Sequence, residues 1–178
     1  MIDKYFTYAI LVDIFIASLI TGICCWLVAI CLLPIPNSDF LFSTTSDIAN
    51  VAFTSAGFVL TFLTLFVSFK ASAKPIKKKK KETRESAYKV VSLFELFLHS
   101  ELYLETIRHL KNGVKELILI ALLGYSLKLL IGSVFIDFLF YYDIFGLIII
   151  SMTLWRSLLI LTGVLKIEKR EKEQTKSI

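Results

Sequence analysis

Four long apolar blocks decide what this chain can become: Tyr5–Leu33, Ala49–Phe69, Leu117–Ile136 and Ile144–Leu165. Each reaches the roughly 20 helical residues that cross the hydrocarbon core of a bilayer. Inside lipid the backbone must satisfy its own N–H and C=O groups, which leaves helices or closed barrels. The blocks show no period-two alternation, so they read as helices. A soluble domain with 56% hydrophobic residues would be left with large exposed apolar patches. The expected fold is therefore all-α: one integral-membrane four-helix bundle over residues 1–178. The blocks 5–33, 49–69, 117–136 and 144–165 are its spans, 70–115 a cytoplasmic segment and 166–178 a cytoplasmic tail.

The first block is too long for a secretory signal. Lys4 is its only early positive charge, and no small-x-small cleavage site precedes Pro34. It reads as a retained helix. Orientation follows from charge. Most lysines and arginines lie in Lys70–Lys115 and Lys166–Ile178, whereas Pro34–Ile48 and Asp137–Asp143 have none and carry Asp39, Asp47, Asp137 and Asp143. Basic loops stay on the cytoplasmic side. With an even number of crossings, both termini are expected in the cytoplasm, and the location is the inner (plasma) membrane.

The connections have their own character. Pro34 and Pro36 end the first block, and Pro34–Ile48 reads as a polar outer loop. Phe135, Phe138, Phe140, Tyr141 and Tyr142 around the turn Asp137–Asp143 form an interfacial aromatic belt. In the segment 70–115, the run Lys77, Lys78, Lys79, Lys80 and Lys81 with Arg84 fits anionic lipid headgroups or an acidic partner. Ser86–Lys111 reads as an amphipathic helix. Its apolar positions are Val90, Phe94, Phe97, Leu98, Leu102 and Ile107, and Glu95, Glu101, Glu105 and Arg108 lie on other faces. Arg108 belongs with the lipid- or partner-binding candidates, and Asn112-Gly113 is expected to break the helix. Glu105 and His109 are four apart, a helix pair if the imidazole is charged. The tail, with alternating charges from Lys166 to Glu173, is expected to continue the fourth helix.

The chain carries no phosphate-binding glycine loop, nucleophile elbow or zinc-ligand spacing. An enzyme, a cofactor and a metal are not expected. Cys24, Cys25 and Cys31 read as small membrane residues, and His99 and His109 as solvated or headgroup-facing. The net charge of +5 is explained by topology, so direct nucleic-acid binding is not expected.

Charges inside the blocks are more informative. Lys128 and Arg156 lie about 16–18 Å along their helices at 1.5 Å per residue, near the bilayer midplane. A central charge costs at least ~2.5–3.5 kcal/mol there. Asp13 is the one acid inside a block. Either Lys128 or Arg156 pairs with Asp13 while the other snorkels, or the two cations line a wet, anion-accepting cavity. A second signal is the seam Asn50, Thr54, Gly57, Thr61, Thr64 and Ser68, spaced by three and four residues. Small and hydroxyl side chains mark close helix packing in lipid, or line a pore. Weaker seams run through Ala121, Gly124, Lys128 and Gly132, and through Gly146, Thr153, Arg156 and Gly163.

Three stretches, Ser55–Phe66, His99–Leu117 and Thr153–Lys166, resemble small four-helix inner-membrane proteins of bacterial anti-phage defence, of the kind in the Kiwa system. The resemblance covers about half of the chain and contains no catalytic motif. It implies a homo-oligomer that senses attack at the membrane and acts with a cytoplasmic protein partner. The insertion Lys74–Arg84 departs from that pattern. Two other readings stand beside it: a small channel that depolarises the membrane, motivated by Lys128 and Arg156, and an immunity protein that blocks a pore-forming toxin.

Overall fold

The computed structural model describes residues 9–72, 97–98, 100–130 and 136–176, the side chains of Ala9 and of 167–176 excepted. Four long helices account for nearly all of them: α1 Ala9–Ala29, α2 Ser38–Ser72, α3 Glu101–Leu130 and α4 Asp137–Lys176. The all-helical, four-helix expectation holds. Three of the helices, α1, α2 and α4, are long and apolar enough to cross a membrane. In α3 the described apolar run after Leu117 is bracketed by Lys115, Glu116 and Lys128.

α2 and α4 outgrow the apolar blocks that announced them, α3 begins well before its block, and α1 stops at Ala29, inside the first block. The polar segment expected as an outer loop is helical from Ser38 onward. Asn37 starts it: its side-chain oxygen accepts the Phe40 N–H at 3.0 Å, and its carbonyl accepts the Leu41 N–H at 3.1 Å. This is an N-cap: the side chain satisfies one of the orphan donors of the helix start, and the carbonyl takes the first intrahelical bond. Pro34 and Pro36 keep the preceding link extended. The expected turn Asp137–Asp143 is also helix, the first two turns of α4. The expected break at Asn112-Gly113 does not occur, because α3 runs through it. Residues 101–111 of the expected amphipathic helix are the start of α3, and 86–96 lie outside the described residues. The tail continues α4 without interruption to Lys176.

The end of α1 shows a different device. Leu32 N–H bonds to the Leu27 carbonyl at 3.0 Å and Cys31 N–H to the Val28 carbonyl at 2.9 Å, with Cys31 at φ 59°. This six-to-one and five-to-two pair is the Schellman stop, here with a cysteine where glycine is usual.

α2, α3 and α4 pack around a common core of Ala52, Val59, Leu117, Ile120, Ile149 and Ile150, while α1 lies against α4 on the outside. Of α1, only Asp13 and Ala17 are fully buried. Close approach is bought with small residues. A Cβ on Gly124 would stand 2.5 Å from Tyr142 Oη and 3.1 Å from the Ala49 Cβ. Tyr142 uses that gap to donate to the Ile120 carbonyl at 2.6 Å. At the far end of the bundle, Tyr103 donates to the Phe66 carbonyl at 3.3 Å, and the Lys70 ammonium lies 4.3 Å above the Tyr103 ring. These contacts lock α2 against α3 at both ends.

The Gly124 contact gives a test. Gly124→Ala should destabilise the bundle by about 1–3 kcal/mol through overpacking. Adding Tyr142→Phe, which removes the clashing oxygen, should return part of that loss. Unfolding in detergent of the single and double variants measures both numbers.

Candidate functional site

The polar centre of the bundle forms where α1, α3 and α4 meet. Arg156 of α4 donates from Nη1 to Asp13 Oδ2 of α1 at 2.7 Å, and from Nη2 to Glu116 Oε2 of α3 at 2.7 Å. The Thr153 hydroxyl, nearly one turn before Arg156, donates to the same Glu116 oxygen at 3.2 Å. Arg156 and Asp13 are almost wholly buried, at 2% and 1% side-chain exposure, and Glu116 is 13% exposed. One guanidinium therefore holds two carboxylates that come from helices far apart in the chain. The planar fork of arginine suits this, because it presents separate N–H donors in fixed directions.

Local packing explains why the guanidinium fits. A Cβ on Gly113 would lie 3.0 Å from the Thr153 Cγ2 and 3.7 Å from Arg156 Nη2. The glycine expected to break α3 instead lets α4 come close enough for Arg156 to reach Glu116. His109, one turn earlier on the same helix, is buried rather than solvated or headgroup-facing, at 7% exposure. Burial pushes its imidazole below the ordinary pKa, and the positive charge of Arg156 acts in the same direction. His109 is therefore neutral at pH 7. Glu105, expected beside a charged His109, lies 3.5 Å from Arg108 in an exposed pair of little energetic weight.

Of the two ways foreseen for the embedded charges, the structure contains the first for Arg156: it pairs with Asp13. Lys128 does not join them. It is half-buried in the last described turn of α3 and forms no ion pair with a described residue. Glu116 is the member that sequence reasoning missed. It stands one residue before the third apolar block, outside the stretch in which embedded charges were sought. The available signal was the face it shares with Gly113, Ile120 and Gly124, which carries the buried face of α3 back through the charged residues.

The three small-residue seams divide. Ala121 and Gly124 of α3, and Gly146 and Thr153 of α4, are buried inside the bundle. On α2 the arrangement is reversed. Asn50, Thr54, Gly57, Thr61, Thr64 and Ser68 are all exposed, and the bundle is served by Ala52, Ser55, Ala56, Val59 and Phe66 on the opposite side. The hydroxyls of Thr54, Thr61 and Thr64 turn back onto the carbonyls of Asn50, Gly57 and Leu60 at 2.9 Å. Asn50 also receives the Tyr125 hydroxyl of α3. Nothing stands within 4 Å of a Cβ on Gly57. Gly132 and the basic residues Lys77–Lys81 and Arg84 lie outside the described residues.

No metal-binding group of three or more His, Cys, Asp or Glu occurs among the described residues. Comparison with known protein families, curated proteins and solved structures finds no match.

A cluster that joins three helices through one cation predicts an asymmetric response to mutation. Arg156→Met leaves two buried carboxylates without their cation and should cost about 3–5 kcal/mol, enough to lose the folded bundle. The triple variant Asp13→Asn, Glu116→Gln, Arg156→Met removes all three charges together and should recover most of that loss. Denaturant titration of both proteins in detergent reads the difference.

Proposed function

We propose that this chain is a multi-pass membrane protein that works as a homo-oligomer, joined through the exposed face of α2. In this reading all four helices cross the bilayer, both termini are cytoplasmic, and the protein acts as a sensor or effector subunit of bacterial anti-phage defence with a cytoplasmic partner. The defence setting rests on the sequence resemblance alone. The observation that carries the oligomer is the outward direction of the α2 seam. Apart from Asn50, which accepts the Tyr125 hydroxyl, its own bundle does not use this face. A stripe of glycine, threonine, serine and asparagine gains little from lipid, which is as apolar as leucine. Against the same stripe of a second copy, small side chains let the backbones approach. The hydroxyls can then bond across a two-fold contact, in which the same patch meets itself. The basic run Lys77–Lys81 with Arg84 and Arg108 is assigned in this reading to anionic lipid or to the cytoplasmic partner.

The channel reading takes a narrower form. The centre of one bundle is filled by Val59, Leu117, Ile120, Ile149 and Ile150, and Arg156 is engaged by two carboxylates. A conducting path would therefore run between copies, beside the α2 seam, and not through one chain.

Site-directed cross-linking separates these ideas. In a chain with Cys24, Cys25 and Cys31 changed to alanine, Gly57→Cys should form a disulfide-linked dimer in membranes. Phe58→Cys, exposed but off the seam, should not. Gly57→Leu should reduce the oligomer by about tenfold or more on size analysis in mild detergent, because close helix approach is lost. A protein that stays monomeric and uncross-linked at Gly57 sinks the proposal.

A further inference from the structure

A second buried acid lies away from the Arg156 cluster, at the end of the bundle where α2 and α4 begin. Sequence reading places Asp143 in an exterior turn. In the structure it is 6% exposed, in the second turn of α4. Its polar neighbour is Thr45 of α2, which is wholly buried. The Thr45 hydroxyl lies close enough to act on the Asp143 carboxyl, but no well-formed hydrogen bond closes between them, and neither side chain has another partner among the described residues.

Among the described residues the surroundings supply no counter-charge; on α1, which packs against α4, the titratable side chains of this half are Cys24 and Cys25, and neither is a cation. On α2, Asp39 and Asp47 are both acidic and exposed. On α3, Lys128 is the one described basic residue of this half and makes no ion pair with a described residue, and Tyr125 bonds to Asn50. On α4, Asp137 is exposed and acidic, and Tyr142 spends its proton on the Ile120 carbonyl. A buried ionised carboxylate with no cation and a single hydroxyl beside it costs several kcal/mol, whereas a neutral carboxyl is an ordinary hydrogen-bonding group.

We propose that Asp143 carries a proton in the closed bundle and that, with Thr45, it forms a proton-sensitive latch between α2 and α4. The proton comes from the solvent, and no other group changes oxidation or bonding. A small rotation of the carboxyl lets its O–H donate to Thr45 Oγ1, which pairs one Asp143 oxygen with the Thr45 hydroxyl and leaves no charge to solvate. Loss of the proton leaves an unpaired anion in the seam and pushes this end of α4 away from α2. The sign follows from linkage. An unfolded aspartate releases its proton near pH ~3.9, while the folded bundle keeps it to higher pH. The folded state then binds more protons over that interval, so stability falls as pH rises from about 4 to the pH at which Asp143 itself ionises in place.

The test uses the full chain in detergent micelles, as wild type, Asp143→Asn and Asp143→Leu, with unfolding followed from pH 4 to pH 8. Both variants lack the titrating group, so both should fold. Relative to either, the wild-type unfolding constant should rise by up to tenfold per pH unit over the interval where the proton is held. Titration of the Asp13–Arg156–Glu116 cluster and of His109 is common to all three proteins and cancels. Infrared difference spectra of wild type minus Asp143→Asn should show a protonated carboxyl band at the low-pH end that disappears as pH rises. Parallel stability profiles, or no such band at low pH, overturn the proposal. So does failure of both variants to fold, because that outcome means the ionised carboxylate is needed.

Discussion

The bundle depends on one cation serving two anions. Arg156 is the point at which α1, α3 and α4 are tied, and the core around it is apolar or small. A buried ion pair is weak evidence for net stability, because desolvating the charges offsets most of their attraction. What it supplies is register. Each oxygen lies 2.7 Å from its nitrogen, so a slip of one helical residue, 1.5 Å along the axis, breaks the contact. Leucine and isoleucine side chains tolerate such a slip far better. For α1 this matters most, because among its residues only Asp13 and Ala17 are fully buried.

Much of this architecture was legible in the residues. Apolar blocks of membrane-spanning length announced the helices, and the pairing of Asp13 with Arg156 was one of the two arrangements foreseen. The ends of the helices were not legible, because hydropathy reports which residues lipid would accept and not where hydrogen bonding stops. Ser38–Ile48 is polar and still helical, since Asn37 caps it and α3 and α4 cover Leu41, Thr45 and Ile48. Gly113 reads as a breaker by local propensity, but close packing against Thr153 overrides it. Glu116 was hidden for a related reason. It lies just outside the third apolar block, and only the approach of α4 to Gly113 brings a cation to it.

The seams teach a different lesson. Three helices carry small residues at helical spacing, and periodicity alone cannot say whether such a face looks inward or outward. Most of the small-residue faces of α3 and α4 is consumed by the fold, Gly124 against Tyr142 and Gly113 against Thr153, while Gly163 stays exposed. The face of α2 is left over. It is the more polar of the three, and its threonines already satisfy their hydroxyls within the helix. That leaves it dry enough to sit in lipid and small enough to accept another helix.

α4 spans 40 residues without a break, about 60 Å of continuous helix. Arg156 stands near its middle, so roughly 30 Å of rod extends beyond the ion cluster to Lys176. Mechanically this is a lever with its fulcrum in the polar centre. A tilt of about five degrees around Arg156 would swing the far end by ~2–3 Å on that length, and the same tilt would move Asp143 against Thr45 in the opposite direction. A disturbance at one end of the bundle thus becomes displacement at the other without any helix having to bend or unfold.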